Sequence, residues 1–229
     1  MKKSNLNNLS LNIILEKNSK FKNLFIQENK SDGFFHKFSK NKLFLNSDYT
    51  NLIFSSGLKF NKLDIECNLV EENCRCNIFS ALFLKKDEHQ EIKTLVNHLA
   101  PNCKSNQKVK NVLSSESKGV YQGKIYVKDI AQKTDAYQLS KALLLDDNAE
   151  FNSKPELEIY ADDVKCSHGS SSGNIDQDSL HYLMTRGLNY NDSTKLLIKG
   201  FLSEVVEFIK NPSIKKFIES KLEQQINEN

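Results

Sequence analysis

Glycine and proline are scarce in this 229-residue sequence, eight of the one and three of the other. That scarcity weighs against a turn-rich all-β chain. Long hydrophobic runs are missing too: no stretch approaches 18 apolar residues, so a membrane-spanning helix is excluded. Arginine is confined to Arg75 and Arg186. Base reading and bidentate phosphate clamping favour arginine, and a net charge of +3 is no steering field. Neither nucleic acid nor a membrane is therefore an expected partner. The opening MKKSNLNNLS leads into an apolar patch, Leu11 to Leu15, too short and polar for a secretory core. Five cysteines, an odd number, without an export signal point to reduced thiols and a cytoplasmic setting.

The first 30 or so residues show helical spacing, with Leu11, Ile14 and Leu15 followed by Phe21, Leu24 and Phe25. A short, partly helical N-terminal region is expected over 1–54. From about residue 55 the rhythm becomes that of short strands. Leu63, Ile65 and Cys67 alternate, as do Ile125 and Val127, and Leu157, Ile159 and Ala161. Polar breaks recur every 12 to 20 residues or so, as in strand-rich folds. A sandwich and a β-helix both fit this pattern. The chain is rich in Asn, which with Asp and Ser takes tight turns in place of Gly. After Gly173 the period turns helical. One helix carries Leu180, Leu183 and Met184, with Asp176 as N-cap and Gly187 as its stop. A second carries Leu197, Phe201, Val205, Phe208 and Ile209 and ends before Pro212. A third starts near Ser213. The expected division is 1–54, a strand-repeat core over 55–173, and a helical domain over 174–229.

The segment richest in reactive groups is Ala161 to Gly169, ADDVKCSHG. If extended, it puts Val164, Cys166 and His168 on one face, with the Cys and His Cα atoms about 6.5–7 Å apart. Thiolate and imidazole are ligands for Zn, Cu(I) or iron–sulfur clusters. Two of them are half a ligand set, so the remainder must come from elsewhere in the chain or from another chain. The plainer reading is a structural Cys and a polar His at a strand end. Cys74 and Cys76 form a C-x-C pair, with Cys67 upstream, but no C-x-x-C knuckle exists and the zinc signal is weak. Cys103 follows Pro101 in a turn. The stretch Gly119-Val120-Tyr121-Gln122-Gly123-Lys124-Ile125 is no phosphate loop: three residues separate the glycines and Ile follows the Lys. It reads as two strands joined by a Gly turn, and no ATP site is expected. His36, His89, His98 and His181 are isolated and read as surface or helix-face residues.

Residues 94–210 resemble the core of the SufB/SufD family, scaffold subunits of the Suf iron–sulfur cluster assembly system. The resemblance is carried by Gly119 to Ile125, Ala131-Gln132-Lys133-Thr134-Asp135-Ala136, Leu143-Leu144-Leu145 and Lys154-Pro155-Glu156-Leu157-Glu158-Ile159. Its most specific stretch is ADDVKCSHG; Tyr182-Leu183, Arg186-Gly187-Leu188 and Gly200-Phe201 close the pattern. The SufD branch fits better. SufB-like chains carry a cysteine just before the apolar triplet, where this chain has Leu139-Ser140-Lys141-Ala142. They also carry an E-H-E-A-type motif where this chain has Cys166-Ser167-His168-Gly169.

The resemblance implies a right-handed parallel β-helix with a C-terminal helical domain. It implies a non-catalytic subunit that pairs with a SufB-like chain and docks a SufC-like ATPase through the helices, at Tyr182, Arg186, Gly187 and Phe201. It places His168, with Cys166 beside it, at the assembly interface, where a nascent iron–sulfur cluster would be held in passing between the two chains. The competing expectation is a self-sufficient Cys/His metal-binding β-helix protein or enzyme. That would need Cys67, Cys74 and Cys76 to fold against Cys166 and His168.

Overall fold

The computed structural model describes residues 6–28 and 31–227. Twelve strands come first: β1 (Leu6–Leu15), β2 (Lys20–Gln27), β3 (Ser31–Leu43), β4 (Asp48–Ser55), β5 (Leu58–Leu69), β6 (Arg75–Leu84), β7 (His89–His98), β8 (Lys104–Leu113), β9 (Lys118–Val127), β10 (Thr134–Leu144), β11 (Glu150–Ile159) and β12 (Val164–Asn174). Three helices follow: α1 (Gln177–Thr185), α2 (Tyr190–Val206) and α3 (Pro212–Asn227). Odd strands form one sheet in the order β1-β3-β5-β7-β9-β11, and even strands the other, β12-β10-β8-β6-β4-β2. Every pairing is parallel. The chain is thus a β-solenoid in which each coil gives one strand to each sheet.

Period-two alternation builds the interior. In β5 the inward residues Asn61, Leu63, Ile65, Cys67 and Leu69 are buried while their neighbours are less so. Like positions stack from coil to coil: Leu15, Leu43, Leu69, His98, Val127 and Ile159 form one column along the odd sheet. The corners explain how eight glycines suffice. Asn18, Asn46, Asn73, Asn102 and Lys133 all sit in the left-handed region, with φ between 56 and 62°. Each backbone N–H donates to the next coil, Asn46 to Glu72 O at 3.0 Å and Asn102 to Gln132 O at 2.9 Å among them. Asn tolerates this conformation better than other residues bearing a Cβ, and on the opposite corners Gly57, Lys86 and Ser115 fill the same role.

The helices cover one outer face. Ile198, Leu202, Val205, Val206, Ile218 and Leu222 pack against Leu52, Phe54, Phe79, Phe83 and Val112, so β4, β6 and β8 are buried on both sides. Lys110, 1% exposed, secures the contact: its Nζ donates to Phe201 O at 2.8 Å and lies 2.7 Å from a Glu204 carboxylate oxygen. Asp176 caps α1 by accepting from Ser179 N, and Gly187 ends it at φ +97°. No described helix is long and apolar enough to cross a membrane.

Three expectations are corrected. The N-terminal region is strand, not partly helical, over its described residues. Helical spacing arose there because β2 is apolar on both faces: Phe25 points into the core while Leu24 and Ile26 lie under the helices. Gly119 and Gly123 lie within the single strand β9, not at a turn between two strands. His98 is fully buried in the lumen, donating to or accepting from Ser105 Oγ at 2.8 Å.

Burial holds His98 neutral, with its pKa pushed down to about 4. Below about pH 6.5 the unfolded chain takes up a proton that the folded chain refuses, so stability falls as pH drops towards 4. Between pH 7 and pH 5 this group alone removes about 2 kcal/mol. Urea denaturation at both pH values should show that loss in the wild type and a flatter response in His98→Gln; equal responses would remove His98 as the cause.

Candidate functional site at the open end of the solenoid

The last coil has no successor among the described residues. Strand β12 pairs only with β10, and β11 only with β9. In register, Cys166 lies beside Ala136, His168 beside Gln138 and Ser170 beside Ser140. Ala136, Gln138 and Ser140 all point into the lumen and are buried. The aligned residues of β12 therefore point the same way, with no coil above them. Cys166 is half-buried against an apolar end made by Ile125, Val127, Ala161, Leu157 and Val164. His168 is exposed. Ile159 and Tyr160 add exposed apolar surface at 37% and 61%. Burial pushes the Cys166 thiol above its ordinary pKa.

The other four cysteines lie elsewhere. Cys67, Cys74, Cys76 and Cys103 are fully buried in the middle coils. Cys74 and Cys103 sit at adjacent corners, joined by Lys104 N donating to Cys74 O at 2.9 Å, and both sulfurs lie close to Glu71 O, at 3.0 and 3.3 Å. The hydrogen bond from Cys103, with help from Ser47, pulls Cys74 down to about 7, while Cys103 is pushed up by the same contact and by burial. Cys76, Ser105, Ala136 and Cys166 occupy successive rungs, which separates Cys76 from Cys166 by about 14 Å at 4.8 Å per rung. The Cys67/Cys74/Cys76 group does not fold against Cys166 and His168. Among the described residues no three His, Cys, Asp or Glu side chains are grouped to hold a metal ion.

The helical residues singled out from sequence divide. Tyr182 is 57% exposed on α1, with the Arg186 guanidinium 5.2 Å from its ring centre. Tyr182 borders a shallow cleft between α1 and α2 lined also by Asp178, Ser179, Leu183, Leu196 and Leu197. Gly187 serves the turn. Phe201 faces the opposite way, packed under Lys110 with the ammonium 4.3 Å from its ring centre, so it belongs to the helix–sheet contact. Sequence reading missed Gln138. Its place beneath His168 follows only from the register, although the strand alternation through Ala136, Gln138 and Ser140 carried the signal.

A parallel solenoid with helices on one flank thus ends in an uncapped coil that carries Cys166 and His168 on one strand face. The chain belongs to the SufBD family: residues 2–201 match the family model for the SUF system FeS cluster assembly, SufBD core domain. It is 34% identical over 193 residues to the iron–sulfur cluster assembly protein SufD of Escherichia coli, covering 83% of this chain and 46% of that one. It is 31% identical over 207 residues to a SufBD family protein of Synechocystis, covering 89% and 45%. With the chloroplastic protein ABCI7 of Arabidopsis thaliana it shares 29% over 208 residues, 90% and 43%. The chain spans less than half the length of these relatives.

The burial pattern sets an order of thiol reactivity. Alkylation of the native chain should tag Cys166 first, at a rate that climbs above pH 9 because its thiol is held protonated. The other four should react only in denaturant. Peptide mapping that finds Cys74 or Cys103 modified first would contradict the assignment.

Proposed function

We propose that the chain acts as a SufD-like scaffold subunit in iron–sulfur cluster assembly. The single observation that carries this reading is the uncapped last coil, which presents His168 and Cys166 on a lumen-side face with no further coil above it among the described residues. A SufB-like subunit laid against this end would pair with the open β11 and β12 edges and bury Ile159 and Tyr160. The imidazole would then complete, with thiolates of the partner, the ligand set of a nascent cluster. The cluster is cargo, held between two chains and passed on. The exposed α1–α2 face around Tyr182 and Arg186 is the docking surface for a SufC-like ATPase. ATP hydrolysis belongs to that partner: Gly119 to Ile125 runs through a strand, whereas a phosphate loop needs a turn opening a helix. The complex would work in the cytoplasm. Family membership and similarity to SufD support this reading, and the wide separation of Cys76 from Cys166 disfavours a self-sufficient metal centre.

The test is His168→Ala, expressed in a bacterium whose own SufD-like gene has been deleted. The side chain is exposed and makes no hydrogen bond among the described residues, so folding and melting temperature should stay as in the wild type. Maturation of iron–sulfur enzymes should drop at least tenfold. Normal enzyme activity with this variant would sink the assignment of His168.

A further inference from the structure

One row of the lumen is lined by amides. Asn23, Asn51, Ile78, Gln107, Gln138 and His168 occupy the same register position on successive even strands. At its outer end Gln107 and Gln138 are both fully buried. Tyr121 OH donates to Gln107 Oε1 at 3.2 Å, and Gln138 Nε2 donates to the Gly123 carbonyl at 3.2 Å. Two buried polar atoms in this group have no partner: Gln107 Nε2 and Gln138 Oε1. A buried, unpaired amide oxygen is costly, and here the strand next to it carries the exposed imidazole.

The place of Gln138 is built, not incidental. A Cβ on Gly123 would stand 2.2 Å from Gln138 Nε2 and 2.4 Å from Tyr121 OH. The glycine is what lets the amide cross the lumen and bond to the opposite sheet. With Nε2 anchored there, Oε1 stays buried and unpartnered, one rung from the strand that carries His168. An amide oxygen has two lone pairs, and neither is engaged by a described residue, Gln107 Nε2 included, which leaves it open to a donor on the rung above.

We infer that Gln138 is the positioning residue for His168, its Oε1 accepting the imidazole N–H when a partner covers the open end. This rests on the reading of His168 given above and extends it to the tautomer. Covering the end strips water from the ring, and a buried imidazole needs a partner on the nitrogen that carries its proton. A carbonyl-type acceptor at that nitrogen leaves the other with a free lone pair turned outward. Histidine ligands are commonly oriented by this kind of bond to an amide or carboxylate oxygen.

The experiment compares Gln138→Met, Gln138→Glu, His168→Ala and the double variant Gln138→Met/His168→Ala, in the same deletion strain and with iron–sulfur enzyme maturation as readout. Melting of each purified chain checks its fold. Gln138→Met keeps the length and removes the acceptor; maturation should fall about three- to tenfold. Gln138→Glu keeps an acceptor oxygen and should restore at least half of the loss. The double variant should do no worse than His168→Ala alone, because a residue that acts only through His168 has nothing left to position. If Gln138→Met does not accumulate, Gln138→Asn, which withdraws the amide from the row, replaces it with the same expectation. Wild-type maturation in Gln138→Met, no recovery in Gln138→Glu, or a loss that multiplies with that of His168→Ala each overturns the inference while leaving the role of His168 intact. A silent His168→Ala overturns the reading of His168, and the inference falls with it.

Discussion

A solenoid buries each rung only between two others, so its terminal rung is half-solvated by construction. Everything distinctive about this chain follows from that constraint. In the middle coils, inward Cys67, Cys74, Cys76 and Cys103 are sealed by strands on either side and by corner carbonyls. In the last coil, Cys166 and His168 have the same inward orientation but no coil above them. Burial, not residue type, separates the four sealed thiols from Cys166, which is only half-buried. The edge carries a second consequence: β11 and β12 each present a row of unpaired backbone groups, which natural proteins either blunt or use for pairing. Beside that edge, Ile159 and Tyr160 are left bare, a combination suited to use.

The two flanks of the solenoid are treated differently, and this shaped what the sequence revealed. Where the helices lie on β2, β4 and β6, the strands are apolar on both faces and their period-two signal disappears. That is why the run from Phe21 to Ile26 imitates a helix. Where a strand has one solvated face, as β5 and β9 do, alternation was plain and the strands could be read directly. The C-terminal helices were legible from their caps, because Asp176 and Gly187 do locally what such residues do in any helix. His98 was not legible: an imidazole in an aliphatic column looks like a surface residue until the stacking of Leu69, His98 and Val127 is known.

The corners resolve the shortage of glycine in physical terms. At one corner the first five coils each turn through one left-handed residue, and four of these five are asparagine. Their side chains carry little of the load: among the described residues only Asn46 bonds its counterpart, Nδ2 donating to Asn18 Oδ1 of the preceding coil at 3.0 Å. The backbone N–H of each left-handed residue instead reaches across to the neighbouring coil, so the bend is also a rung. A composition that argued against strands at first is one that supports a solenoid, because a repeated corner needs one tolerant residue per coil and not a glycine-rich loop.

The candidate site shows the limit of reading by spacing. Cys166 and His168 were visible as neighbours on one strand face, since that requires only alternation. Gln138 is 30 residues away, and its position beside His168 depends on a corner and a whole coil between them having the right length. The same register connects Gly123 to the site through a missing Cβ. Coil length thus does the positioning that a catalytic loop does elsewhere: one residue more or less between β10 and β12 would turn His168 from the lumen to the outer face. The amide row beneath would then end at Ser167 or at Gly169.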